Sequence, residues 1–375
     1  FSSRRRHTRY PLVTGVQTCA LPIWFWIRPF LIELITPWML VALFVAAKRG
    51  DFLPSGVSVD RYYLPQFIAY SILLFLLAIA TFIDFDELII PDEITVPGTI
   101  IGLMGSTFFE GWNWIERVQL LDPPFTQVVR SLHACSPEEF PRSWEQRSWI
   151  GLFLALAAWS IWCLSLVDFL WIRRRGLRKA FEYAWAGYWR GSNRIFCNRL
   201  LILGVVAITV AFFWLNSAQW QRLQSALVGM WLAGFLLWAF RMVAHEVLKR
   251  EALGFGDVTL MSMVGAFFGW QIGWIAFFLA PLFGIAIALI KFFLTGDEAT
   301  PFGPYLTAAC VYLMIDWQRV WEACREWMIP ATSAVWMIIP LLILLGGLLK
   351  LIVSIRQKLS SLSPRSEEHT SELQS

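Results

Sequence analysis

Apolar runs of the length needed to cross a bilayer recur along almost the whole chain, and nothing else in the sequence limits its folding as strongly. A spanning helix needs roughly 20 mainly apolar residues. Read between polar breaks, the runs give ten candidate spans, at about 27–47, 65–84, 93–109, 149–172, 200–218, 225–246, 257–270, 273–294, 303–315 and 333–354. Barrel strands would alternate apolar and polar residues, and these runs do not. Hydrophobic residues make up 57% of the 375 and charged residues 15%, a balance foreign to soluble domains of this size. The expected fold is therefore all-α, a polytopic transmembrane helical bundle.

The two ends call for separate treatment. "RSEEHTSELQS" (365–375) back-translates to one strand of an oligonucleotide whose complement, with one leading G, encodes "VTGVQTCALPI" (13–23). Unrelated protein tails do not encode both strands of one oligonucleotide, and this one resembles a sequencing-library adapter. Residues 1–23 and 365–375 are accordingly set aside as adapter-derived. The remaining 24–364 divide into N-terminal membrane helices (24–110), an insert with an outer loop, two spans and a basic loop (111–224), a core (225–315), and an amphipathic segment with one further span (316–364). Without the tails, the net charge of +4 falls to about +2, from 26 basic and 24 acidic residues, and gives no reason to expect a nucleic-acid partner.

Charge orients the spans, because cytoplasmic loops are rich in Lys and Arg. The segment 173–199 holds eight basic residues and one Glu, which places it inside. Alternating from that anchor, "IDFDELIIPDE" (83–93), "KREALGFGD" (249–257) and "GDEATPFGP" (296–304) all fall on the cytoplasmic face, and 110–148 falls outside. The basic loop reads most simply as a topology signal, with contact to anionic lipid as the alternative. The abundant tryptophans read as interfacial anchors.

Carboxylates at that shared face carry the chemistry. Asp257 follows Gly254-Phe255-Gly256 at the mouth of an apolar run. Two glycines around one aromatic allow a tight turn before a helix, and an Asp there serves equally well as a plain helix cap. Asp84 directly continues an apolar run, and an ionisable residue at that depth is a functional candidate. Asp86, Glu87 and Glu93 read instead as a solvated turn. Two carboxylates brought together share one proton, since close like charges cannot both ionise. One then acts as general base toward water and the other as general acid toward the carbonyl, as in aspartic proteases, with no metal or cofactor.

Other chemistries are poorly supplied. Outside the tails the only histidines are His133 and His245, and there is no CxxC, HExxH or GxSxG motif. His245 reads as a helix-end residue. Cys163 and Cys310 fall in spans and Cys197 in the cytoplasmic loop. Cys135 and Cys324 fall outside, as free thiols or as a pair.

The two aspartate segments together resemble the type IV prepilin (leader) peptidases, a family of GxGD membrane aspartic proteases. "IDFDELIIPDEITVPG" (83–98) is similar to the family's first motif, "EALGFGDVTLMSMVGAFFGWQ" (251–271) to its second, and "TPFGPYLTAA" (300–309) to its PFGP turn, while "IRPFLIELI" (27–35) resembles an early helix. The resemblance implies catalytic roles for Asp84 and Asp257 and supporting roles for Gly254, Gly256, Pro301, Phe302, Gly303 and Pro304. Asp86 and Asp92 match acidic positions outside the chemistry. It further implies hydrolysis of short basic leaders from pilin-like and pseudopilin-like precursors after a glycine, at the cytoplasmic face of a bacterial inner membrane. Prepilin-like proteins and membrane lipids are the implied partners. N-methylation with S-adenosylmethionine is expected only if an N-terminal region not present in this sequence exists. The insert and the C-terminal extension depart from the family pattern.

The rival reading is a transporter or channel in which Asp84 and Asp257 relay protons or bind a cation. It would favour internal repeats, and the sequence shows none. An assembly factor retaining the fold without activity would have no need of both aspartates.

Overall fold

The computed structural model describes residues 23–49, 62–113, 115–119, 127–139, 148–167, 194–248, 253–294, 302–328 and isolated helical residues within 339–350. Its elements in chain order are α1 (Ile23–Arg49), α2 (Tyr63–Glu87), α3 (Asp92–Phe108), β1 (Ile115–Gln119), β2 (Gln127–Ser131), α4 (Trp149–Ser165), α5 (Arg194–Trp214), α6 (Ser217–Leu248), α7 (Phe255–Phe268), α8 (Trp270–Leu294) and α9 (Gly303–Cys324), closed by a 3₁₀ turn at Arg325–Trp327. The helical architecture expected from the apolar runs is present. Three helices, α2, α5 and α6, are long and apolar enough to cross a membrane. Shorter apolar helices lie at Thr36–Val45, Trp149–Ser165, Phe255–Phe268 and Trp270–Ala286. The tenth expected span, 333–354, falls mainly outside the described residues.

The bundle is organised around α7. From Asp257 to Phe268 every residue is buried, so the helix lacks a polar face and "DVTLMSMVGAFF" lacks amphipathic spacing. α3, α6, α8 and α2 all touch it, and the α6–α7 interface is the most extensive among the described residues. Glycine allows that closeness: a Cβ at Gly229 would stand 2.8 Å from the Gly269 Cα, and one at Gly265 would stand 2.8 Å from the Ala233 Cβ. Small residues at a helix crossing let backbones approach, which is how apolar helices gain packing where lipid supplies no hydrophobic drive. On the outside the polarity is reversed from that of a soluble protein. Phe153 is 70% exposed and Trp214 86%. Such an apolar exterior around a helical core is that of a membrane protein.

Three readings of the sequence need correction. The outer segment is not all loop: β1 and β2 pair antiparallel, Ile115 opposite Ser131, and "IERVQ" and "QVVRS" both carry the β-branched residues that favour strands. Cys197 lies within α5 and is buried, since the helix starts at Arg194 and absorbs the end of the basic segment. The region from Asp316 onward is not a separate interfacial helix. It continues α9 through a kink at Asp316 (φ −124°, ψ 34°), and its Trp317 and Trp321 stack 5.1 Å apart and are buried in the core. Cys163, Cys310 and Cys324 are free thiols, so the pairing of Cys324 with Cys135 considered from the sequence is not formed.

Candidate active site

Asp84 is set by the last turn of α2, and the chain reverses immediately after it. Leu88 takes the left-handed conformation (φ 56°) and its N–H donates to the Asp84 carbonyl at 3.0 Å. Residues 89–91 then run as a short non-helical link into α3, which starts after Pro91, and a proline there favours extended backbone before the helix. This reversal delivers Ile90, buried at 5% exposure, into the space between the two other motifs.

Asp257 occupies the third position of α7. Gly254 is the N-cap with extended backbone (φ −70°), and its N–H donates to Asp257 Oδ2 at 3.1 Å. The capping role considered from the sequence is thus real, but it occupies one carboxylate oxygen from inside the first turn. Glycine has no side-chain oxygen to complete the reciprocal half of a capping box. Neither Gly254 nor Gly256 has a positive φ; among the described glycines only Gly111 and Gly269 do. The expected need for a glycine turn is therefore replaced by a need for close approach. A Cβ at Gly256 would stand 2.7 Å from the Ile90 Cβ and 2.8 Å from its carbonyl oxygen.

The third motif meets the first directly. Gly303 opens α9 against the Asp84 carboxylate, whose buried Oδ2 has no hydrogen-bond partner among the described residues. A Cβ at Gly303 would run into Asp84 Oδ2 and stand 3.1 Å from Ile90 Cδ1. One turn farther in, Thr81 of α2 and Thr307 of α9 hydrogen-bond at 2.9 Å, tying the same two helices. Phe302 and Pro304 flank Gly303 at the start of α9, whereas Pro301 lies outside the described residues.

Asp84 and Asp257, 5% and 6% exposed, are within electrostatic reach of each other. Asp86, Glu87 and Glu93 are exposed and Asp92 is half-buried, so of these acidic residues only Asp84 and Asp257 are enclosed by the fold. Arg241, on α6, also faces Asp257, a neighbour that no sequence motif marked. His245 sits in the last turn of α6. Among the described residues no cluster of three or more His, Cys, Asp and Glu forms a metal site.

Fold and site together define a helical membrane protein with a buried aspartate pair at one end of its bundle, bracketed by two glycine-containing turns. Residues 192–289 match the type IV leader peptidase family. The matched region spans α5 to most of α8. It contains Asp257, stops short of Gly303, and begins inside the segment read as an insert.

Among curated relatives, a prepilin leader peptidase/N-methyltransferase of Pseudomonas aeruginosa is 34% identical over 113 residues, 29% of this chain and 37% of the relative. One of the same description from Pectobacterium carotovorum is 32% identical over 139 residues, 32% of this chain and 50% of the relative. Leader peptidase HopD of Escherichia coli is 28% identical over 154 residues, 39% of this chain and 84% of the relative. The chain thus spans about half or less of the first two relatives' lengths. No solved structure matches it.

Proposed function

We propose that the chain is a multi-pass aspartic endopeptidase of the bacterial inner membrane that removes short basic leaders from prepilin-like precursors at the cytoplasmic face. The observation that carries this reading is that Asp84 and Asp257, far apart in sequence, are both buried and within electrostatic reach of each other. In the proposed reaction the ionised carboxylate takes a proton from water as its oxygen attacks the scissile carbonyl carbon. The protonated partner gives its proton to the carbonyl oxygen. When the tetrahedral species collapses, the C–N bond breaks and a proton from the pair goes to the departing amine. Water and two carboxylates suffice, so the peptidase step is written without metal or cofactor. The N-methyltransferase half of the relatives' names stays with those proteins.

The depth of the pair fits such a substrate. A prepilin-type precursor joins a polar leader to an apolar helix, so its scissile bond lies where membrane and water meet, which is where Asp84 ends its apolar run. The test is processing of a prepilin-type substrate in membranes containing the chain, comparing wild type with Asp84→Asn and Asp257→Asn. Both substitutions keep shape while removing the carboxylate, and both are expected to abolish cleavage at normal protein levels. Processing that survives either one removes that residue from the chemistry and returns the transporter reading to favour.

A further inference from the structure

The last two turns of α6 carry an arginine that the peptidase chemistry does not use. Arg241 lies near the end of α6, and its Nε–H donates to the Leu253 carbonyl at 3.0 Å. Its guanidinium also sits over the Phe255 ring, 5.8 Å from the centroid. The Leu253 carbonyl and the Gly254 N–H belong to one planar peptide unit. That same N–H holds Asp257 Oδ2 at 3.1 Å. A continuous chain therefore runs from a cation, through one peptide, to a dyad carboxylate.

We propose that Arg241 is a positioning residue for Asp257, acting through the Leu253–Gly254 peptide that it clamps and polarises. The proposal rests on the peptidase reading for its effect on cleavage, although the clamp itself does not. Three physical effects converge. A charge-assisted bond to the carbonyl is stronger than a neutral one and fixes the peptide plane. Hydrogen bonds in series polarise one another, so the Gly254 N–H becomes a better donor. Stacking on Phe255 holds the residue between the two glycines, and with it the entry angle of α7. Gly254 and Gly256 add no side-chain packing of their own, so the turn needs an external support. Lysine could replace the charge and one donor but not the flat guanidinium over the ring.

The experiment uses the full chain in membranes and compares wild type, Arg241→Met and Arg241→Lys, with Asp257→Asn as the inactive control. Cleavage of a prepilin-type substrate gives kcat and KM, and amide hydrogen exchange across 253–258 gives the state of the turn without reference to activity. Arg241→Met is expected to lower kcat about 10- to 100-fold with KM changed less than about threefold, and to speed exchange at Gly254. Arg241→Lys is expected to recover part of both. Wild-type kcat together with unchanged exchange in Arg241→Met overturns the proposal, as does a loss of kcat that lysine fails to relieve at all while exchange stays unchanged. If wild type itself does not cleave but exchange at Gly254 still responds to Arg241→Met, the peptidase reading fails and the clamp stands.

Discussion

The GxGD pattern treats its two glycines alike, whereas the structure does not, and this asymmetry gives a sharp test. At Gly256 an added Cβ would stand 2.7 Å from the Ile90 Cβ, 2.8 Å from its carbonyl oxygen and 3.1 Å from its nitrogen. Carbon atoms in ordinary contact sit about 3.5–4.0 Å apart, so the Ile90 link or the start of α7 must move by roughly 0.8 Å or more. Two of the three obstructing atoms are backbone, in a link pinned between α2 and α3, so no side-chain rotation relieves the clash. Overpacking of this kind costs about 1–3 kcal/mol in stability. Displacement of a catalytic group by about 1 Å costs on the order of 100-fold in rate. Gly256→Ala should therefore lower kcat by about 10- to 100-fold. At Gly254 the nearest atom to an added Cβ is Asp257 Oδ2 at 3.5 Å, an ordinary contact, and the backbone φ of −70° suits any residue. Gly254→Ala should lose only the modest preference of an N-cap for glycine over alanine, about 0.5–1 kcal/mol, and stay within about fivefold of wild type. Prepilin cleavage and thermal unfolding of both variants in the same membranes decide the matter. Equal losses in the two variants, or a wild-type rate in Gly256→Ala, would refute the reasoning from Ile90.

Three further outcomes follow from other contacts. Gly303→Ala places its Cβ against Asp84 Oδ2 and should reduce cleavage at least as strongly as Gly256→Ala while Asp257 remains undisturbed; a fully active variant would separate the third motif from the dyad. Thr81→Val and Thr307→Val remove the two ends of one 2.9 Å bond, so a double-mutant cycle on thermal stability should show coupling of about 0.5–1.5 kcal/mol, and strict additivity would show that the bond contributes nothing. Trp270→Phe deletes the buried Nε1–H that donates to the Ala134 carbonyl at 2.6 Å. It should cost about 1–3 kcal/mol in stability and leave kcat unchanged, as measured by unfolding and by cleavage at saturating substrate.

The sequence revealed the helices well because each apolar run is a local property of the chain. Asp84 and Asp257 also stood out locally, as carboxylates touching apolar runs. What could not be read was everything that depends on one segment meeting another. Ile90 looked like an ordinary residue of "ELIIPDE", and only the fold shows it lodged between Gly256 and Gly303. Arg241 belonged to no motif because its partners, Leu253 and Phe255, act through a carbonyl and a ring face. The two glycines of the GxGD turn were assigned the wrong reason, since spacing alone cannot distinguish a need for positive φ from a need for close approach. Trp317 and Trp321 were likewise misread: an i, i+4 aromatic pair among charges fits a membrane interface as well as a core.

A long stretch of chain between two residues proposed to act together should be hazardous, and the packing explains how the segment read as an insert is accommodated. Its helices α4 and α5 pack on each other, and α4 leans on α6, building a second apolar cluster with Val96 and Leu103 of α3. None of those contacts involves Ile90, Gly256 or Gly303. Its outer turn latches onto the start of α8, just past the end of α7 remote from Asp257, and onto α6: Trp270 Nε1–H donates to the Ala134 carbonyl, Gln271 Nε2 donates to the His133 carbonyl at 2.7 Å, and the Ala134 N–H donates to Ser225 Oγ at 3.3 Å. The full length of the 14-residue α7, roughly 20 Å, separates that latch from the aspartates. Meanwhile α3 and α7 pack directly, with Ser106 Oγ donating to the Ala266 carbonyl at 3.1 Å. The described contacts around Asp84 and Asp257 run through α2, α3, α7 and α9, and the second cluster touches this region at Phe255. Loss of the outer latch should consequently appear first as lost stability and only later, if at all, as lost chemistry.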